Sequence, residues 1–189
     1  MMRIITGRAR GTKLNTLEGT NTRPTSERTK EAIFSIIQFE IAGGIALDLF
    51  AGSGQMGLEA LSRGASRATF VDSSKDAVKI INQNVAKTHF EAESTVVNSE
   101  FESYLNRAAK KEKFDLVFLD PPYATDFLKR SIRSLCDNGL LEDGALLICE
   151  SSGLEFLDES VIENNFEILK QAKYGIAHVV ILKFKKDKE

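Results

Sequence analysis

With 189 residues, 42% hydrophobic and 28% charged, the chain has the composition of a soluble domain large enough to bury a substantial core. This excludes a disordered or fibrous chain, and no apolar run approaches the ~20 residues that a membrane-spanning helix needs. The net charge of −2 excludes a uniformly basic nucleic-acid binder, yet residues 1–30 hold seven Arg/Lys and two Glu, a local +5 that leaves −7 elsewhere; one basic surface on an acidic body is still able to hold a polyanion.

The opening MMRIITGRARG lacks the long apolar stretch of a secretory signal, so a cytoplasmic location is expected. Short apolar alternations at Arg3–Thr6 and Lys13–Leu17 read as a small hairpin-like extension or lid. Pro24 disfavours helical angles in the residue before it. From Thr25 onward Ala32, Ile33, Ile36 and Ile37 share one helical face. Residues 1–40 are therefore expected to form a basic hairpin-and-helix extension, and 41–189 one compact unit.

From residue 45 strands alternate with helices. Strands are expected at Ile45–Leu49, Ala68–Val71, Ser94–Val97, Phe114–Leu119 and Ala145–Cys149, with helices near 56–63, 75–87, 100–110 and 126–137. Near-continuous apolar strands between amphipathic helices indicate a parallel sheet covered on both faces. Phe166–Lys173 and His178–Lys185, joined by a turn at Tyr174–Ala177, read as a closing antiparallel pair. The expected class is α/β, Rossmann-like: a mostly parallel seven-stranded sheet with an antiparallel C-terminal strand and a small N-terminal extension. Cys136 and Cys149 have no paired spacing and read as reduced core thiols, so neither a disulfide nor a metal site is expected. His89 and His178 receive no catalytic role.

The first strand runs through Asp48 and Phe50 into Ala51-Gly52-Ser53-Gly54-Gln55-Met56-Gly57 and then a helix. Gly52, Gly54 and Gly57 fit G-x-G-x-x-G, and Asp72 stands twenty residues past Gly52, where a carboxylate is able to bind both ribose hydroxyls. That spacing does not separate NAD from S-adenosyl-L-methionine. Asp48 does, because its carboxylate would repel a pyrophosphate and attract the ammonium and sulfonium of S-adenosyl-L-methionine. The candidate cofactor set is Asp48, Phe50, Ala51, Gly52, Ser53, Gly54, Gln55, Gly57, Asp72, Ser73, Glu100 and Phe101, with Glu100 placed for an adenine amine.

The fourth strand ends in Asp120-Pro121-Pro122-Tyr123. In an open parallel sheet the ligand lies beyond the strands' carboxyl ends, so this loop is expected beside the glycine loop. Prolines remove N–H donors and leave carbonyl acceptors. Asp120 and the Pro121 carbonyl are suited to holding the two N–H groups of an exocyclic amine, turning its delocalised lone pair towards an in-line methyl donor. A base stacked on Tyr123 gains ~1–3 kcal/mol, and a hydrogen bond to the charged Asp120 ~1.5–3 kcal/mol. No cysteine sits in the loop, which argues against carbon-5 pyrimidine chemistry.

Several stretches resemble the bacterial small-subunit (16S) ribosomal RNA guanine-N2 methyltransferases over nearly the whole length. They are Arg3-Ile4-Ile5-Thr6-Gly7 with Lys13-Leu14, Arg23-Pro24-Thr25 leading into Arg28, Lys30, Glu31, Ala32 and Phe34, Leu47–Gly57, Gly57–Ala65 (GLEALSRGA), Leu119–Tyr123 and Lys173-Tyr174-Gly175. Gln55-Met56 departs from the smaller or purely apolar residues expected there. Asp-Pro-Pro-Tyr alone is shared with DNA adenine methyltransferases and is close to the motif of protein glutamine methyltransferases, which leaves those acceptors as the alternative. The resemblance implies methylation of a guanine N2 in 16S rRNA within an assembling small subunit; separately, neither a metal nor a membrane partner is expected from the cysteine spacing and the short apolar runs. The resemblance also implies phosphate contacts from Arg3, Arg8, Arg10, Lys13, Arg23, Arg28 and Lys30, with Thr25 near the base pocket.

Overall fold

The computed structural model describes residues 2–17, 27–123, 125–158 and 160–185, and it divides the chain into two compact units, Met1–Glu100 and Phe101–Glu189. Pro24, Arg23 and Thr25 lie outside the described residues.

The first unit begins with a hairpin-like segment. Arg3 and Lys13 form an antiparallel bridge, flanked by hydrogen bonds that the Ile4 amide donates to the Thr12 carbonyl and the Leu14 amide to the Met2 carbonyl, 3.0 Å each. Ile4 and Leu14 are buried, so the segment is anchored by its own apolar side chains. Then follow α1 (Glu27–Ile36), β1 (Ile45–Asp48), α2 (Gln55–Ser62), β2 (Arg67–Asp72), α3 (Lys75–Thr88) and β3 (Ser94–Asn98). The strands lie in the order β3-β2-β1, all parallel, with Asp48 opposite Phe70 and Asp72 opposite Asn98. That register carries Asp72 two residues further along the sheet than Asp48.

Helix α3 shows how local sequence sets an element. Ser74 caps it, its hydroxyl accepting from the Ala77 amide at 3.3 Å. Ala77, Ile81, Asn84, Val85 and Thr88 are buried at the spacing of one helical face. His89 ends the helix with φ 59°, the left-handed closure usually given to glycine or asparagine. In α2, by contrast, every residue from Gln55 to Ser62 is buried. A helix enclosed on all sides places its residues under tight steric limits, and Gly57 is the clearest case.

The second unit comprises α4 (Phe101–Ala108), β4 (Phe114–Leu119), α5 (Phe127–Asp137), β5 (Leu141–Ser151), α6 (Ser160–Asn165), β6 (Phe166–Tyr174) and β7 (Ala177–Phe184). Its strand order is β4-β5-β7-β6. β4 and β5 are parallel, whereas β7 is antiparallel to both β5 and β6. The expected closing hairpin is present, with Tyr174 opposite Ala177. β5 starts four residues earlier than the apolar run at Ala145 indicates, because Leu141 pairs with Phe114 ahead of a register shift. Glu142, Asp143 and Gly144 occupy that irregular stretch, and a bulge tolerates such turn-like residues inside a strand. Arg130 ties α5 to α4, pairing with Glu102 and lying over the rings of Phe101 and Phe127. No helix among the described residues is long and apolar enough to cross a membrane.

A Cβ at Gly57 would stand 2.4 Å from Cε1 of Phe70, whose side chain is fully buried. Gly57→Ala is therefore expected to destabilise the protein by about 1–3 kcal/mol in urea unfolding; an unchanged midpoint would show that the ring relocates freely.

Candidate active site

The first unit presents a glycine loop between two acidic strand tips. Gly52 and Gly54 adopt φ 55° and 77°, conformations that side-chain-bearing residues rarely hold. A Cβ on Gly52 would meet nothing within 4 Å, so the backbone there is open to a ligand. Asp72 shapes the loop: its Oδ2 accepts from the Gly52 amide at 2.9 Å and its Oδ1 from the Ser74 amide at 2.8 Å. Half-buried, it keeps lone pairs for further donors. Ser73 is exposed, and the Asp72 and Ser73 carbonyls both accept from the Asn98 side-chain amide at 2.9 Å.

Asp48 is 5% exposed and accepts from the Gly57 amide at 3.0 Å. Among the described residues it has no ion-pair partner. Burial pushes its carboxyl up to about 7, the Gly57 amide pulls it down less, and Asp72 adds a further upward push. A buried carboxylate lacking a cation carries an unmet electrostatic demand that a positively charged ligand satisfies. Phe50 is half-buried, Ala51, Gly54 and Gln55 are buried, and Glu100 is exposed at the end of this unit. Gln55 and Met56 open α2, both buried, without interrupting the loop.

Asn84 is a positioning residue that the sequence reading does not single out. Fully buried, it donates to the Ser53 carbonyl at 2.8 Å and to the Asn15 carbonyl at 3.0 Å, and its Oδ1 accepts from the Asn15 amide at 2.7 Å. Ser53 also donates its hydroxyl to the Met2 sulfur at 3.0 Å. The glycine loop is thus braced by α3 and by the N-terminal segment. Asparagine in the buried stripe of α3 was the available signal, since a buried amide side chain demands partners.

The second unit carries the Asp-Pro-Pro-Tyr loop at the end of β4. Asp120, Pro122 and Tyr123 are exposed and Pro121 is buried. The Pro122 carbonyl accepts from the Thr125 hydroxyl at 2.8 Å. Tyr123 donates its hydroxyl to Glu150 Oε1 at 3.1 Å. Its phenol is pushed above the usual range by partial burial, then by the carboxylates of Glu150 and Asp120. Glu150 was also missed. It lies one residue past the Leu119–Cys149 pair of β4 and β5, at the neighbouring strand's tip, and the apolar run before it draws attention away. Phe101, assigned to the cofactor set, is buried at the start of α4, its ring centroid 5.1 Å from that of Phe127.

The basic candidates divide. Arg10, Lys13 and Arg28 are exposed and make no ion pair with any described residue. Arg3 is exposed and pairs with Glu27 at 3.3 Å. Arg8 is held on the body by Glu93 at 3.2 Å and lies 4.9 Å over the Phe90 ring. Lys30 corrects the expectation of a phosphate contact: its side chain is 0% exposed, paired with Glu59 at 3.4 Å and donating to the Arg3 carbonyl at 2.7 Å. Its neighbours Ile33 and Phe34 on the buried side of α1 carry it inward. Burial lowers its pKa, against the pull of Glu59. Both cysteines are free thiols, and burial raises Cys136 to about 12 and Cys149 further.

Residues 2–183 match the family described as Conserved hypothetical protein 95. Ribosomal RNA small subunit methyltransferase D of Haemophilus influenzae is 35% identical over 176 residues, covering 93% of this chain and 90% of that protein. The Escherichia coli K12 protein of the same name is 40% identical over 150 residues, 79% of this chain and 74% of its own. A solved Escherichia coli structure described as a methyltransferase candidate gives a TM-score of 0.85 at 34% identity, covering 98% of this chain and 99% of that one. The fold is accordingly the Rossmann-like methyltransferase fold.

Asp48 has a sign-definite effect on stability. Its folded pKa is raised, so the folded protein keeps a proton that the unfolded chain releases near pH 4, and stability falls as pH rises from about 4 to about 7. Asp48→Asn lacks this loss. Its stability advantage over the wild type should grow across that window to on the order of 2–4 kcal/mol and then level off; a constant difference in denaturant melts from pH 5 to 8 would refute the assignment.

Proposed function

Because the chain belongs to the ribosomal RNA small subunit methyltransferase D family, we propose that it transfers a methyl group from S-adenosyl-L-methionine to the exocyclic N2 amine of a guanine in 16S rRNA. The observation that carries this reading is Asp48, a buried carboxylate without a cationic partner among the described residues, at the mouth of a glycine loop. It suits a ligand bearing an ammonium and a sulfonium and repels the pyrophosphate of a dinucleotide. When bound, the cofactor supplies an electrophilic methyl on sulfur.

The chain's own residues do the rest. Gly52 and Gly54 let the backbone approach the ligand, and Asp72, while holding the loop, retains acceptor capacity for ribose hydroxyls. Ser73 and Glu100 are exposed at the tips of β2 and β3 for the adenine end. On the acceptor side Tyr123 stacks on the guanine, its ring orientation fixed by Glu150. Asp120 and the Pro121 carbonyl accept from the N2 hydrogens, which aims the nitrogen lone pair at the methyl carbon. Methyl transfer from the bound cofactor would form the nitrogen–carbon bond at the expense of the sulfur–carbon bond, and the proton that the amine sheds would pass to the Asp120 carboxylate or to water. Phosphates are held by Arg10, Lys13 and Arg28, with Arg3 beside Lys13 across the hairpin bridge. An assembling small subunit in the cytoplasm is the proposed substrate, and neither a metal nor a membrane enters the reaction.

Asp120→Ala should reduce methyl transfer by at least about a hundredfold while leaving cofactor affinity within about twofold, because Asp120 addresses the acceptor. Near-normal turnover would remove Asp120 from the mechanism. Mass-spectrometric nucleoside mapping of 16S rRNA from cells lacking the protein should show loss of one N2-methylguanosine; an intact guanosine profile with a missing methyladenosine would redirect the acceptor. Replacing Arg10 and Lys13 by Gln should weaken RNA binding and reduce the salt slope by about one unit per lost phosphate contact, and an unaltered slope would mean that the arm does not touch the backbone.

A further inference from the structure

Glu59 is the one carboxylate of α2, and its side chain is 0% exposed. Both its oxygens are occupied. Oε2 accepts from the Ile5 amide at 2.8 Å and meets the Lys30 ammonium at 3.4 Å. Oε1 accepts from the Thr6 amide at 3.1 Å and from Arg63 Nε at 2.8 Å. Three chain segments therefore converge on one group: the N-terminal hairpin through its backbone, α1 through Lys30, and the C-terminal cap of α2 through Arg63. Around it, Lys30 returns to the Arg3 carbonyl, and the Arg63 guanidinium lies 4.8 Å over the Phe34 ring.

The hairpin is fastened a second time one turn later. Ser62 donates its hydroxyl to the Thr6 carbonyl at 2.6 Å and accepts from the Ala9 amide at 3.0 Å, while its own carbonyl accepts from the Arg8 amide at 2.8 Å. The approach is so close that a Cβ at Gly7 would lie 1.8 Å from the Ser62 carbonyl oxygen. A mobile lid needs none of this, and buried backbone–carboxylate bonds oppose such motion. The same helix begins at the glycine loop, and its Gly57 amide, two residues before Glu59, holds Asp48.

We propose that Glu59 is a positioning residue for RNA: it locks the basic hairpin to the helix that carries the cofactor loop, so that Arg3, Arg10 and Lys13 stand at a fixed offset from the methyl donor. The inference rests on the methyltransferase reading above and adds that substrate register is set by a buried ion cluster rather than by surface charge alone. Glu59 touches neither ligand, so its loss acts on RNA placement.

The test uses the full chain with Glu59→Gln, which keeps the shape but removes the charge opposing Lys30 and Arg63. Expected are faster hydrogen exchange at the Ile5 and Thr6 amides, a rise in KM for small-subunit RNA of about tenfold or more, and kcat at saturating RNA and cofactor affinity within about twofold. Ser62→Ala leaves no buried charge behind and should show the same split in smaller measure, which covers the case in which Glu59→Gln does not fold. Cofactor affinity falling in step with RNA affinity would make the cluster merely structural and overturn the proposal. So would loosened hairpin amides with unchanged KM, or amide exchange that does not change. Failure of the wild type to methylate small-subunit RNA would instead sink the functional reading, and the exchange rates together with direct RNA binding would still decide the role of Glu59.

Discussion

A carboxylate that water does not reach must find all its hydrogen bonds within the protein, and the first unit is organised around that demand. Glu59 sits in a helix buried along its whole length, and its two oxygens draw in two hairpin amides, an α1 ammonium and the arginine that caps its own helix. Removing Glu59 would leave the fully buried Lys30 ammonium without its carboxylate, a loss of roughly 3–5 kcal/mol. The hairpin and α1 are therefore bound to α2 by buried contacts, although the sequence reads the opening segment as an extension or lid.

The unit holds a second buried carboxylate under opposite conditions. Asp48 has one backbone amide and no cation among the described residues, and burial drives its pKa up. Two acidic side chains a short distance apart in sequence thus divide between structure and chemistry according to how fully the protein satisfies them. The saturated one fixes geometry. The unsaturated one stores a preference for positive charge, which a scaffold is able to present only if its surroundings are rigid. Asp72 falls between these extremes, shaping the loop with both oxygens while remaining half-exposed.

Much of this was legible in the sequence, and for identifiable reasons. Apolar runs such as Phe114–Leu119 and the stripe of α3 mark elements directly, since strand and helix periods leave different spacings. The glycine loop and Asp120–Tyr123 stood out because rare residue types cluster there. What stayed hidden depends on distance in the chain. Lys30 counts as a surface charge until Glu59, twenty-nine residues on, is known to lie against it. Arg8 likewise finds Glu93 and Phe90 only through the fold. Glu150 and Asn84 were overlooked because each follows or interrupts an apolar pattern, and such patterns are read for their hydrophobic members. The early start of β5 was masked by residues that ordinarily make turns.

Sealing Lys30 also alters its reactivity as an amine. A reagent or acylating enzyme that modifies lysines meets the exposed ones at once, but this nitrogen becomes a nucleophile only when the hairpin lifts and water enters. Its rate of covalent labelling is then governed by the free energy of that local opening rather than by the intrinsic chemistry of an ammonium group, which makes one side chain a clock for the motion of the segment that covers it.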